Sequence, residues 1–153
     1  MPKIQISAFL VSLVALRRVD TEWQVLLLKR TRTLVGEWCQ VAGSIEAGET
    51  AWQAALRELE EETGLIPKAF YSADICEQFY EADRDAITMA PVFVAIIDPS
   101  AKVSLNREHS DHRWLRFDEA IDRVPFGGQR RLLRSIEDEF VKRPSQEHLR
   151  ISF

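Results

Sequence analysis

The stretch GSIEAGETAWQAALRELEEETGL, Gly43 to Leu65, places five glutamates within the 14 residues from Glu49 to Glu62, and Glu60, Glu61 and Glu62 are consecutive. Thr50 followed by Gln53 has the pattern of a helix N-cap with its capping box, and Gly64 stands where a left-handed residue ends a helix. A helix is therefore predicted over 51–63. At about 100° per residue, Trp52, Ala55, Leu56 and Leu59 share one side, and Glu58, Glu61 and Glu62 share an adjoining one. The apolar side is expected to pack and the acidic side to stay out of the core. Arg57, four residues before Glu61, offsets part of the repulsion. Glu58 and Glu62 remain a like-charged pair four apart, costing an isolated helix about 0.2–0.5 kcal/mol. Something positive is expected beside them. A hard divalent cation fits, because Mg²⁺ takes oxygen ligands and is commonly shared between carboxylates and substrate phosphates. The plain alternative is a solvated acidic face.

Outward from this helix the pattern is of strands. Lys3 to Leu16 and Trp23 to Leu28 are apolar runs separated by a polar turn containing Asp20, which predicts a hairpin-like pair. A charged loop over 29–37 and a short strand over 38–42 lead to Gly43. Further strands are expected over 75–80, 87–97 and 112–117, then a short helix over 118–124 and a longer one over 129–142. Alternating strands and helices without internal repeats make an α/β or α+β fold. A single domain over 1–143 is expected, with residues 144–153 as a loosely attached tail.

Composition narrows the function. The 153 residues suit about one domain, and a net charge of −4 gives no electrostatic footprint for a nucleic acid polymer. The apolar stretches are too short for a membrane span of about 20 residues, and the first residues read as a strand rather than a leader peptide. Cys39 and Cys76 lie far apart without a CxxC spacing, as free thiols in a reducing cytoplasm would.

The spacing resembles the Nudix box, G, five residues, E, seven residues, then R-E-apolar-x-E-E-x-G-apolar. Gly43, Glu49, Arg57, Glu58, Leu59, Glu61, Glu62, Gly64 and Leu65 fill every specified place. The resemblance implies an α/β/α sandwich with a mixed sheet and a loop–helix–loop motif, and an enzyme that hydrolyses phosphoanhydrides. It implies Mg²⁺, with Mn²⁺ as the alternative, held by Glu58, Glu61 and Glu62 and by the Gly43 carbonyl. It also implies that Glu49 and Arg57 tie the preceding loop to the helix. Such enzymes often recruit a further glutamate from a downstream loop. By that resemblance Glu108 in NREHSDHRWL is the candidate base or extra ligand, with Glu77 as the rival. Glu61, Glu62, Glu108 and Arg57 form the expected catalytic set.

Substrate phosphates need donors, and Lys29 and Arg30 end a strand just before the loop to the box. Arg32 lies deeper in that loop and is less favoured. Trp38 or Phe79 would suit stacking on a flat heterocycle, although a large aromatic is more often core. His109, His112 and His148 lack a recognisable metal spacing, and none is assigned to a zinc site. The segment EWCQVAGSIEAGET is similar to the bacterial dihydroneopterin triphosphate pyrophosphohydrolases within the family. The first expectation is thus a nucleoside or pterin triphosphate cleaved to a monophosphate and pyrophosphate. The alternatives are a dinucleoside polyphosphate or other nucleoside-diphosphate-X hydrolase, and a module that senses a nucleotide derivative without cleaving it. The expected partner is this small molecule, with a homodimer left open.

Overall fold

A strand made of consecutive apolar residues must be covered on both faces, because successive side chains point to opposite sides. The computed structural model, which describes residues 1–144 and 146–153, builds its sheet around such a strand. In β2 (Leu10–Val19), Val11, Leu13 and Ala15 enter one core cluster while Val14 and Leu16 enter another on the opposite face. Three further strands flank it directly. β7 (Ala86–Ile96) pairs with it in parallel, whereas β3 (Glu22–Arg30) and β5 (Val41–Ser44) pair with it antiparallel.

β3 and β5 share one edge of β2. Val19 to Leu16 pairs with β3 and Leu13 to Leu10 with β5, so the two strands diverge from a common line. The chain between them carries the short strand β4 (Trp38–Cys39), which pairs with the end of β3. β8 (His109–Arg116) covers the outer edge of β3, and β6 (Ala69–Glu81) covers that of β7. The short β1 (Gln5–Ser7) pairs with the start of β7 in parallel, completing a mixed sheet. The stretch expected as one strand from Lys3 to Leu16 is thus two, β1 and β2. Pro91 cannot donate to a ladder, and it lies at the register shift between Ser72 and Cys76 on β6.

Helix α1 (Ala51–Thr63) covers one face of the sheet, and α2 (Phe117–Arg123) with α3 (Gly127–Ile136) covers the other. α1 spans the residues the sequence predicts. The Thr50 hydroxyl accepts from the Gln53 N–H and the Gln53 side chain accepts from the Thr50 N–H, while Gly64 ends the helix at φ 70°. α3 begins two residues before the expected Gln129, whose side chain accepts from the Phe126 N–H at 3.2 Å and so caps the helix. Its last turn widens into a π-helical turn, Glu137–Val141, that sets Phe140 edge-on to Tyr71 with ring centres 5.8 Å apart. The tail differs from its expectation of loose attachment. The Ile151 N–H donates to the Phe70 carbonyl at 2.8 Å, and the Phe153 ring meets Phe70 edge-on. Among the described residues no helix is long and apolar enough to cross a membrane.

Candidate active site

The loop before α1 and the helix are held together by one guanidinium. Arg57 donates to both oxygens of Glu49, at 2.7 and 3.1 Å, and to the Ser44 carbonyl at 2.8 Å. Its remaining nitrogen donates to Glu58 at 2.9 Å and to Glu61 at 3.2 Å. Glu49 also accepts from the Glu46 N–H at 2.7 Å, which fastens the loop to itself. The hydrogen bonds from Arg57 hold the Glu49 carboxyl below the usual range, and the bond to Glu49 raises Arg57 further. Gly43 lies on β5 against this assembly. A Cβ there would come within 2.1 Å of the Glu58 carboxyl carbon, so only glycine admits the Glu58 side chain so close to the strand.

The acidic side of α1 is not simply solvated. Glu61 is exposed, Glu58 is largely covered, and Glu62 is buried at 2% exposure. This corrects the expectation that the acidic side stays out of the core. All three stand in the second half of α1, two of them in its last turn, where the helix dipole disfavours negative charge. Burial, then the charges of Glu58 and Glu108, push the Glu62 carboxyl up to about 9. Burial likewise raises Glu58. One oxygen of Glu62, Oε2, has no hydrogen-bond partner. A buried carboxyl oxygen left without a partner is costly, and a cation is one partner that would satisfy it.

β8 supplies the facing groups. Thr31 ties the preceding loop to β3, its N–H donating to the Glu108 carbonyl at 3.1 Å and its hydroxyl to the Arg107 carbonyl at 2.9 Å. Glu108 and His109 thereby approach Glu62, and one ligand atom from each lies within 4.8 Å of the others. A carboxylate-rich set of this kind suits a divalent cation. These residues line a cavity of about 240 Å³ together with Arg30, Arg32, Thr33 and Ala42. Arg30 is braced there, donating to the Thr33 carbonyl at 2.7 Å and to its hydroxyl. Arg32, less favoured from sequence, also lines the cavity.

Other candidates fall elsewhere. Lys29 pairs with Trp38 across β3 and β4, and Trp38 packs against the α2–α3 core with the Arg123 guanidinium 5.4 Å from its ring centre. Neither lines the cavity. Glu77 accepts from Gln40 at 2.7 Å, and Gln40 bonds Ser12 at 2.9 Å and Gln129 at 3.1 Å, forming a satisfied polar network. Phe79 is 43% exposed rather than core. A larger cavity of about 590 Å³ beside α2 and the end of α3 lies on the face of the sheet opposite α1, and its Lys142 and Arg116 are paired with acids at 3.1 and 3.3 Å. Cys39 and Cys76 are free thiols, and burial raises the Cys39 thiol to about 11.

Residues that the sequence reading left out are Ser12, Thr33, Gln40, Gln129 and, in the cavity, His109. Ser12, Gln40 and Gln129 are brought together by tertiary packing of β2, the β4–β5 junction and α3, while Thr33 is held locally by Arg30. For His109 a signal was present, since it adjoins Glu108 at the start of a strand.

A helix bearing clustered glutamates, an arginine clamp on the loop before it and a glycine against one of those glutamates define a phosphoanhydride hydrolase of the Nudix type. The NUDIX domain model matches residues 9–138, and the chain belongs to that family. A pig bis(5'-nucleosyl)-tetraphosphatase [asymmetrical] is 31% identical over 121 residues, covering 76% of this chain and 80% of its own. A Myxococcus xanthus octanoyltransferase is 36% identical over 78% of this chain, which spans only 34% of that relative's length. Among solved structures, a C. elegans Ap4A hydrolase superposes with TM-score 0.74 at 24% identity, over 84% of this chain and 94% of its own. The E. coli dihydroneopterin triphosphate pyrophosphohydrolase gives TM-score 0.71 at 22% identity, over 92% of this chain and 100% of its own. At those identities the two structures share the fold.

Proposed function

We propose that the chain is a divalent-cation-dependent pyrophosphohydrolase that converts a nucleoside or pterin triphosphate to the monophosphate and pyrophosphate. The observation that carries this reading is the bare, buried oxygen of Glu62 opening onto the cavity that Glu108, Arg30 and Arg32 also line. Carboxylates that require a cation face guanidinium groups that require an anion, and a cation–polyphosphate complex meets both needs.

A bound Mg²⁺, or Mn²⁺ in its place, would neutralise the phosphoryl oxygens and make water more acidic. Glu58, Glu62, Glu108 and the Gly43 carbonyl are the proposed ligands. Arg30 and Arg32 hold the phosphate chain, whereas Trp38, packed against the α2–α3 core on the other face, is not assigned to the heterocycle. Lys29 faces away from the cavity and is not assigned to the phosphates. Arg57 keeps Glu58 and Glu61 in place. Glu61, whose side chain is 55% exposed and tethered to Arg57, and Glu108 are the proposed proton acceptors. As the water oxygen bonds to phosphorus, one of them takes the proton, and the anhydride P–O bond breaks with its electron pair on the leaving pyrophosphate.

The pig relative's name supports a second reading, hydrolysis of a dinucleoside polyphosphate. A panel of nucleoside triphosphates, dihydroneopterin triphosphate, dinucleoside polyphosphates and nucleotide sugars, with products identified, separates the two. Pyrophosphate from a triphosphate is expected. Turnover of dinucleoside polyphosphates alone would give the second reading the site, and binding without turnover of any compound would make the domain a sensor.

A further inference from the structure

Strand pairing brings Glu108 to the edge of the site and then stops fixing it. Along β3 and β8, Lys29 pairs with Asp111 but Arg30 pairs with His109, so Ser110 is an extra residue on β8 and a bulge interrupts the ladder just before its last pair. Leu28 packs against the α1 face of the sheet, and Arg30, two residues on, lies on that same face, so the bulge turns His109 toward the helix end. Glu108 stands one residue beyond the last pair. Its side chain is exposed, and its carboxylate has no hydrogen-bond or ion-pair partner among the described residues. Where that carboxylate stands is therefore decided by the backbone beneath it.

Thr31 holds that backbone from the other side. Its N–H donates to the Glu108 carbonyl at 3.1 Å, and its hydroxyl lies 3.0 Å from the same carbonyl and 2.9 Å from that of Arg107. One hydroxyl proton thus serves two successive carbonyls, 76 and 77 positions away in the chain. The turn's own contribution is the Asn106 side chain, which accepts from the Glu108 N–H at 3.0 Å. Arg30 is fixed without the Thr31 side chain. Its guanidinium donates to the Thr33 carbonyl at 2.7 Å, its N–H donates to the Glu37 carbonyl at 2.9 Å, and its carbonyl accepts from the Gly36 N–H at 2.9 Å. Arg30 and Thr31 are neighbours in sequence with separate supports.

We propose that Thr31 is a positioning residue for the reaction: its hydroxyl pins the turn that carries Glu108 against the end of β3 and so holds the Glu108 carboxylate within reach of Glu62 and the substrate phosphates. The inference rests on the assignment of Glu108 to the site above and adds the residue through which that assignment takes effect. A misplacement of about 1 Å near the reacting atoms can cost about a hundredfold in rate. Thr31 itself is half-buried at the surface, so losing its hydroxyl should cost rate rather than fold.

The test compares Thr31→Val, which keeps the shape and removes the hydroxyl, with Thr31→Ser, which keeps the hydroxyl, in the full chain with Mg²⁺ and the panel triphosphate that is cleaved fastest. Thr31→Val should lower kcat by about tenfold with KM within about twofold, because Arg30 keeps its supports, and Thr31→Ser should recover most of the rate. In a Glu108→Gln background, Thr31→Val should cost nothing more, since both changes act through one carboxylate. A Thr31→Val enzyme as fast as the wild type, or one whose loss multiplies with that of Glu108→Gln, would overturn the positioning role while Glu108 keeps its place. An unimpaired Glu108→Gln would remove Glu108 and Thr31 together. Relaxation of ¹⁵N-labelled protein gives a readout independent of turnover: the Glu108 amide should pass from an order parameter of about 0.85 toward about 0.6 in Thr31→Val and stay rigid in Thr31→Ser. An amide equally ordered in the wild type and both variants would overturn the pin. Thr31→Ala serves as a second hydroxyl-free variant should valine disturb the fold.

Discussion

Glu62, buried, and Glu77, half-buried, are both acids raised by burial on opposite faces of one sheet, and their surroundings differ in kind. Glu77 sits in a closed network in which Gln40 donates to it at 2.7 Å, Gln129 donates to Gln40 at 3.1 Å, and the Gln129 side chain caps α3. Every member has a partner, and the network joins β6 to the start of α3. Glu62 has like charges for neighbours and one oxygen with no partner at all. Buried polar groups that are satisfied hold a fold together, whereas one that is left bare marks a place where something outside the chain belongs. The acid with the poorer local environment is thus the better functional candidate.

Substitutions on the two faces can break this contrast. Glu62→Gln should have the largest effect, a fall in kcat/KM of about a hundredfold or more, because glutamine cannot give up a proton to become the anionic ligand proposed for the cation. The same change should raise the thermal midpoint of chelated protein. The sign follows from a folded pKa raised to about 9 from an ordinary 4.5: the carboxyl's favourable contribution is complete below about 4.5 and is lost as pH rises through about 9. The advantage of glutamine should therefore be larger at pH 8 than at pH 5 on thermal melts, and an advantage independent of pH would mean that Glu62 stays ionised in the chelated protein. Glu61→Gln, on an exposed residue, should lower kcat by at least about tenfold with the fold intact. Unchanged turnover would remove Glu61 from the site. Glu108→Gln should also slow the reaction. If neither added Mg²⁺ nor higher pH restores the rate, Glu108 acts on the proton, whereas rescue by the cation would make it a ligand. On the other face, Glu77→Gln should leave cation affinity unchanged and cost about 1 kcal/mol of stability, measured by denaturant titration. A change in cation affinity there would erase the distinction between the faces.

The local parts of this arrangement were legible because they depend on spacing within one element. The capping pair Thr50 and Gln53, the stop at Gly64 and the shared side of Glu58, Glu61 and Glu62 follow from helical periodicity alone. The burial of Glu62 was not legible, since it depends on the strand pairing that sets β5 against α1 and brings Glu108 and His109 beside the helix end. Nor was the turning of Lys29 away from the cavity while Arg30 lines it, which the placement and register of β3 decide. The polar network around Gln40 joins residues 28, 37 and 89 positions apart, a separation that no local pattern encodes.

One feature of the helix end reaches beyond catalysis. A carboxyl held near 9 keeps its proton in neutral solution, and the proton and an arriving cation compete for the same oxygen. With the proposed cation bound there, ion capture and acid release would be a single exchange, so loading the pocket in weakly buffered solution would acidify the medium. Alkaline conditions would tighten the grip on metal, and mildly acidic ones would let it go, making occupancy of this pocket a gauge of the surrounding proton supply.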